Sequence, residues 1–99
     1  DTEKSLALTA LTGITYPVPD FSAATQAKLD SNLRVAVENF EAAPSEDTYI
    51  WLGRRLAYLY QYDSAIAVYT AALEKYPNSF RLLRHRGHRY ITIRKFDLA

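Results

Sequence analysis

Apolar residues recur at steps of three and four along most of the chain, the spacing that lays one stripe along a helix. Leu29, Leu33, Ala36, Val37 and Phe40 form the first such stripe. It predicts a helix from about Ser22 to Ala43, with Asp20 or Ser22 capping its free amides and Pro44 ending it. Ser45 can cap a second helix, whose first turn holds Glu46 and Asp47 and whose stripe is Tyr49, Leu52, Gly53, Leu56 and Leu59–Tyr60. Gln61-Tyr62-Asp63 leaves room only for a tight turn between antiparallel helices. A third helix is expected over Asp63 to Tyr76, with Ala65, Ile66, Tyr69, Ala72 and Leu73 on one face. Pro77-Asn78-Ser79 breaks it, and Ser79 can cap a fourth helix to about Arg94. Lys95 to Ala99 reads as a second tight turn and the start of a fifth helix. Ahead of all this, residues 1–21 read as a lead-in. Leu6, Leu8 and Leu11 suit a short helix stopped by Gly13, and Pro17 and Pro19 enforce an extended path. No segment alternates with period two, so no sheet is expected.

A shift of 34 residues superimposes the chain on itself: Gly53 falls on Gly87, Asp63 on Asp97 and Ala65 on Ala99. The large apolar positions follow, as Tyr49/Leu83, Leu56/Tyr90, Leu59/Ile93 and Tyr62/Phe96. A fixed period with matched glycines and turn residues marks a stacked repeat. Tyr49-x2-Leu52-Gly53-x2-Leu56, then Ala65-x3-Tyr69, Ala72 and Pro77, resembles the tetratricopeptide repeat pattern, each substitution keeping its size class. The second copy, Leu83-x2-Arg86-Gly87-x2-Tyr90, departs from that pattern at Arg86, where an apolar residue is expected. The resemblance covers residues 46–99. It implies an all-α fold of antiparallel helix-turn-helix repeats, a right-handed α-solenoid. The expected units are a lead-in over 1–21, a capping helix over 22–45, a first repeat over 46–79 and the truncated start of a second over 80–99. Gly53 and Gly87 are read as places where a neighbouring helix approaches closely.

Composition narrows the function classes. The 99 residues contain no cysteine, which removes disulfides, thiol nucleophiles and thiolate metal sites. No apolar run is long enough for a membrane span. Methionine is absent even at position 1, so a chain processed or cut from a longer one is expected, with the compartment open between cytoplasm and export after removal of a leader. The net charge of +1 conceals an asymmetry: residues 1–49 hold three basic and eight acidic side chains, residues 50–99 nine basic and three acidic. An acidic front and a basic back point to a polar partner surface, or to contact between neighbouring copies.

Candidate chemistry concentrates in the fourth helix. His85 and His88 stand three apart, either as two metal ligands lacking a third or as solvated, groove-lining imidazoles; the second reading is preferred, because zinc normally takes three or four protein ligands. Arg81, Arg84, Arg86, Arg89, Arg94 and Lys95 are either a solvated surface or an anion-binding one, since the guanidinium fork suits carboxylates and phosphates. The basic cluster is one helix long in a nearly neutral chain, so nucleic acid is not expected as a partner. Trp51 is an exposed binding anchor or a buried filler. There is no Gly-x-Ser-x-Gly, His-Glu-x-x-His or phosphate-loop motif, and no enzyme activity or cofactor is expected.

The resemblance implies a scaffold that binds a protein or peptide on a concave face built from the first helix of each pair. Carried over by position, that face takes Asp47, Ile50, Arg54 and Ala57 from one repeat and Arg81, Arg84, His88 and Ile91 from the next, flanked by Trp51, Tyr58 and His85. The candidate peptide-binding set is therefore Ile50, Trp51, Arg54, Tyr58, Arg81, Arg84, His85 and His88, with an acidic peptide as the expected ligand. A second reading is an assembly subunit that self-associates through the open end at residues 83–99.

Overall fold

The computed structural model describes residues 18–98, and the expected short helix over Leu6–Gly13 lies outside them. Among the described residues there are four helices and no strand: α1 over Ala23–Ala42, α2 over Glu46–Tyr58, α3 over Tyr62–Lys75 and α4 over Phe80–Leu98. This is an all-α helical-repeat fold.

The starts of α1, α2 and α4 are set by side chains, whereas α3 begins after Gln61 without a side-chain cap. The Ser22 hydroxyl accepts from the Thr25 amide at α1. At α2, Ser45 accepts from the Thr48 amide at 3.2 Å while Thr48 Oγ1 accepts from the Ser45 amide at 2.7 Å, a reciprocal capping box with threonine in the usual acid's place. At α4 the Leu82 amide donates to Ser79 Oγ at 3.1 Å, and that hydroxyl donates to Glu46 at 3.0 Å. Ser45 and Ser79 are themselves 34 residues apart, so the period governs the helix caps as well as the apolar stripes.

The α2–α3 turn is Leu59-Tyr60-Gln61, two residues earlier than the tripeptide the sequence suggests. The Gln61 amide donates to the Leu56 carbonyl and the Tyr60 amide to the Ala57 carbonyl, both at 3.0 Å. This pair of reversed bonds closes a helix end through a left-handed residue, normally glycine. Here that residue is Tyr60, at φ 63°. Its ring stands 6.2 Å from Phe21 and 5.6 Å from Tyr62, contacts that offset the backbone strain and fasten the entry to α1 over the turn.

α2 packs against α1, α3 and α4, and α3 packs against α4. With neighbours on three sides, α2 buries more than one stripe: Ile50 and Ala57 join Tyr49, Leu52, Gly53 and Leu56 in the core. From α3 come Tyr62, Ala65, Val68, Tyr69 and Ala72, and from α4 Leu82. α1 buries only Ala36 and leans Leu33, Val37 and Phe40 on the core, as expected of a helix covered on one side.

The close approach expected at Gly53 is present: a Cβ placed there would overlap the Tyr69 ring. A Cβ placed at Gly87 would meet no other part of the described residues within 4 Å. Leu83 and Tyr90 beside it are 42% and 52% exposed. Arg86, in the apolar position of the pattern, tolerates its place because that side is uncovered; it reaches Thr70 Oγ1 at 3.3 Å and lies over the Tyr90 ring. The turn expected at Lys95–Ala99 does not form, and α4 runs on to Leu98. Lys95–Leu98 contains neither glycine nor proline to break a helix.

Candidate functional site

α2 and α4 diverge over a cleft of roughly 510 Å³ whose floor is the edge of Tyr69 from α3. α2 contributes Arg54, Ala57 and Tyr58, one turn apart on one face. α4 contributes Arg84, His85, His88 and Arg89, where the pairs Arg84/His88 and His85/Arg89 are each four residues apart. Five cationic or potentially cationic side chains thus face one concavity, and among the described residues no carboxylate lines it.

Arg54, His85 and Arg89 are held in place. Arg54 donates to the Tyr58 hydroxyl at 3.1 Å and lies 4.4 Å from the centre of the Trp51 ring. Both contacts restrict a side chain that would otherwise lose entropy on binding. The His85 ring stacks on Tyr69 with centroids 5.8 Å apart and planes 28° apart. Arg89 lies over the Tyr62 ring at 5.6 Å.

Electrostatics report the same concentration of charge. Burial first, then Arg54, Arg84, His88 and Arg81, hold the His85 pKa below its ordinary value. Burial and the surrounding positive charge both disfavour the protonated ring, so His85 favours its neutral form, a donor at one nitrogen and an acceptor at the other. The Tyr69 hydroxyl is pushed up to about 12 by burial, against the opposing pull of Arg89 and Arg54.

Arg54, Tyr58, Arg84, His85 and His88 of the expected set are brought together here. Three others are not. Ile50 is 1% exposed and belongs to the core, because the helix packing of α2 on three sides turns that position inward. Arg81 is engaged by Asp47 at 2.7 Å and by Glu46 at 3.7 Å, a pairing between positions on successive repeats. Trp51 is 42% exposed but faces α1, in a shallow hollow with Asn32, Val35, Asn39 and Arg55; it meets the cleft only through Arg54, which lies between them. Neither an anchor in the cleft nor a buried filler, it is a stacking surface for two arginines.

Arg89 and Tyr69 line the cleft and were not in the expected set. Arg89 was within reach of sequence reasoning, since it lies one turn beyond His85 on the same helix face. The sequence marks Tyr69 only as a core residue; it is 1% exposed and lines the cleft from behind on α3. Among the described residues, no group of three or more histidines and carboxylates could hold a metal ion, and no helix is long and apolar enough to cross a membrane.

In comparison with known proteins, residues 46–89 match the family model described as tetratricopeptide repeat. No curated protein and no solved structure matches the chain.

Proposed function

Since residues 46–89 are a tetratricopeptide repeat segment, a kind of module that serves as a protein–protein interaction scaffold, we propose that this chain grips an acidic peptide segment of its partner in the cleft between α2 and α4. The observation that carries this reading is the unbalanced charge of the cleft. Among the described residues, Arg54, Arg84 and Arg89 have no carboxylate within ion-pair distance, whereas Arg81, a turn away, is already paired. Clustered positive groups with low-dielectric walls raise the local concentration of anionic partners and speed their capture. Fixed guanidinium forks then form charge-assisted bonds to carboxylates.

The test is fluorescence anisotropy of labelled acidic and basic peptide pools at low and moderate salt. Acidic pools should bind, and binding should weaken as the Debye length falls from about 30 to 10 Å. Arg54→Ala and Arg84→Ala should each weaken it by roughly tenfold, as expected for loss of a charge-assisted contact of about 1.5 kcal/mol. Unchanged affinity and salt dependence in both variants would remove the cleft from the mechanism.

A second reading rests on the uncovered side of α4. Leu83, Tyr90 and Ile91 are 42%, 52% and 58% exposed around the empty space at Gly87, and contiguous apolar surface of this kind promotes association. Under this reading copies associate through that side. Sedimentation of the wild type and of Leu83→Glu/Tyr90→Glu separates the two, since a monomer in both cases discards self-association.

A further inference from the structure

Resting on the cleft as the peptide site, we infer that the group it selects is a phosphate monoester, carried on a phosphorylated side chain of the bound segment, rather than a plain carboxylate. The argument is one of stoichiometry. A carboxylate brings one negative charge and two oxygens, enough for one guanidinium fork. The cleft presents three guanidinium groups, from Arg54, Arg84 and Arg89, together with the imidazoles of His85 and His88. Any single carboxylate leaves two of the three guanidinium groups in the cleft without a counter-ion. A phosphate monoester brings a charge of about −1.5 to −2 at pH 7 and three strong acceptor oxygens. That is the valency which two helices supplying donors from opposite walls can use, Arg54 from α2 and Arg84 with Arg89 from α4.

Two features sharpen the point. Arg54 is oriented by the Tyr58 hydroxyl and the Trp51 ring before any ligand arrives, so its fork is a preset donor and not a loose surface charge. The neighbouring arginine that could over-neutralise a phosphate, Arg81, is withdrawn by Asp47. A peptide source is favoured over a nucleic-acid one because the uncompensated donors converge on one cleft a few residues across. A polynucleotide would need phosphate contacts repeated along a strand.

The experiment uses the 99-residue chain and a short labelled peptide of alternating alanine and glutamate. Its central residue is phosphoserine, glutamate or serine, and binding is read by anisotropy. The phosphoserine peptide should bind about tenfold tighter than the glutamate peptide, the scale of a second charge and a third oxygen on charge-assisted bonds. Arg84→Lys and Arg89→Lys, which keep the charge and lose the fork, should abolish most of that preference while thermal unfolding stays unchanged. Equal affinity for the phosphoserine and glutamate peptides, both lost in Arg84→Ala, overturns the phosphate assignment and leaves the acidic-peptide reading standing. Absence of binding by any of the peptides, or binding indifferent to Arg54→Ala and Arg84→Ala, overturns both. A single-stranded oligonucleotide that binds more tightly than the phosphoserine peptide through the same arginines overturns the peptide source.

Discussion

Gly53 and Tyr69 form one device. The glycine is helical and has no unusual φ, so its absent side chain matters only for space: Tyr69 occupies the place where a Cβ would stand. We expect Gly53→Ala to destabilise the fold by about 1–2 kcal/mol, because the overpacking cost exceeds the roughly 1 kcal/mol that alanine gains in helix propensity. Thermal unfolding checks the sign, and Tyr69→Leu in the same chain should remove most of the penalty. Tyr69 also sets an alkaline limit. Its folded pKa of about 12 lies above the unfolded value of 10, so its contribution is complete below pH 10 and is lost as pH rises toward 12. Tyr69→Phe should flatten the fall in melting temperature across that window. An identical fall in the variant would assign the loss to the lysines and other tyrosines.

At the scale of elements, the α2–α3 turn depends on a residue poorly suited to it. Tyr60 adopts φ 63°, which costs a non-glycine residue about 1–2 kcal/mol. Its ring contacts with Phe21 and Tyr62 are what retain it. Tyr60→Ala should lose the rings and keep the strain, whereas Tyr60→Gly loses the rings and relieves it. Glycine should therefore be the more stable of the two by about 1 kcal/mol in urea unfolding, reversing their usual helix rank. This is also where the sequence was least legible. The turn contains no glycine to mark the left-handed position, so the sequence pattern points two residues too far along, to Gln61-Tyr62-Asp63. The starts of α1, α2 and α4 are legible because serine caps and prolines act within one turn of themselves. The end of α4 is not, because a turn is decided by whatever packs beyond it.

Across the whole molecule, the separation of charge along the chain becomes a local arrangement. The acidic residues Glu46 and Asp47 meet the basic helix at Arg81 and leave the rest of that helix uncompensated around the cleft. With Arg81 51% and Asp47 67% exposed, the pair itself adds only about 0–1 kcal/mol to stability. Its larger effect is on potential. Asp47→Asn should leave the melting temperature nearly unchanged and raise the affinity for acidic peptides about two- to threefold at low salt, an advantage that fades as salt screens it. The repeat register gave the helix faces, and so Arg54, Arg84 and His88. It could not give Ile50, because burial on a third side depends on α1 and α4 closing over α2 together. Nor could it separate Arg81 from its neighbours, since ion pairing is a matter of distance between helices and not of spacing along one.

The two glycines of the period make a matched internal control. Position 53 is filled by a ring and position 87 is vacant, though the surrounding helix is the same in kind. Adding one methyl group at Gly87 meets nothing, so Gly87→Ala should raise the melting temperature, by the equivalent of about 1 kcal/mol from helix propensity alone. If a helix or a second copy comes to lie on that side, the same methyl becomes an obstruction and the substitution turns unfavourable. The sign of this one change, measured as a function of protein concentration or of added partner, is therefore a gauge of occupancy. It reads whether the uncovered side of α4 is in use without requiring that its occupant be known.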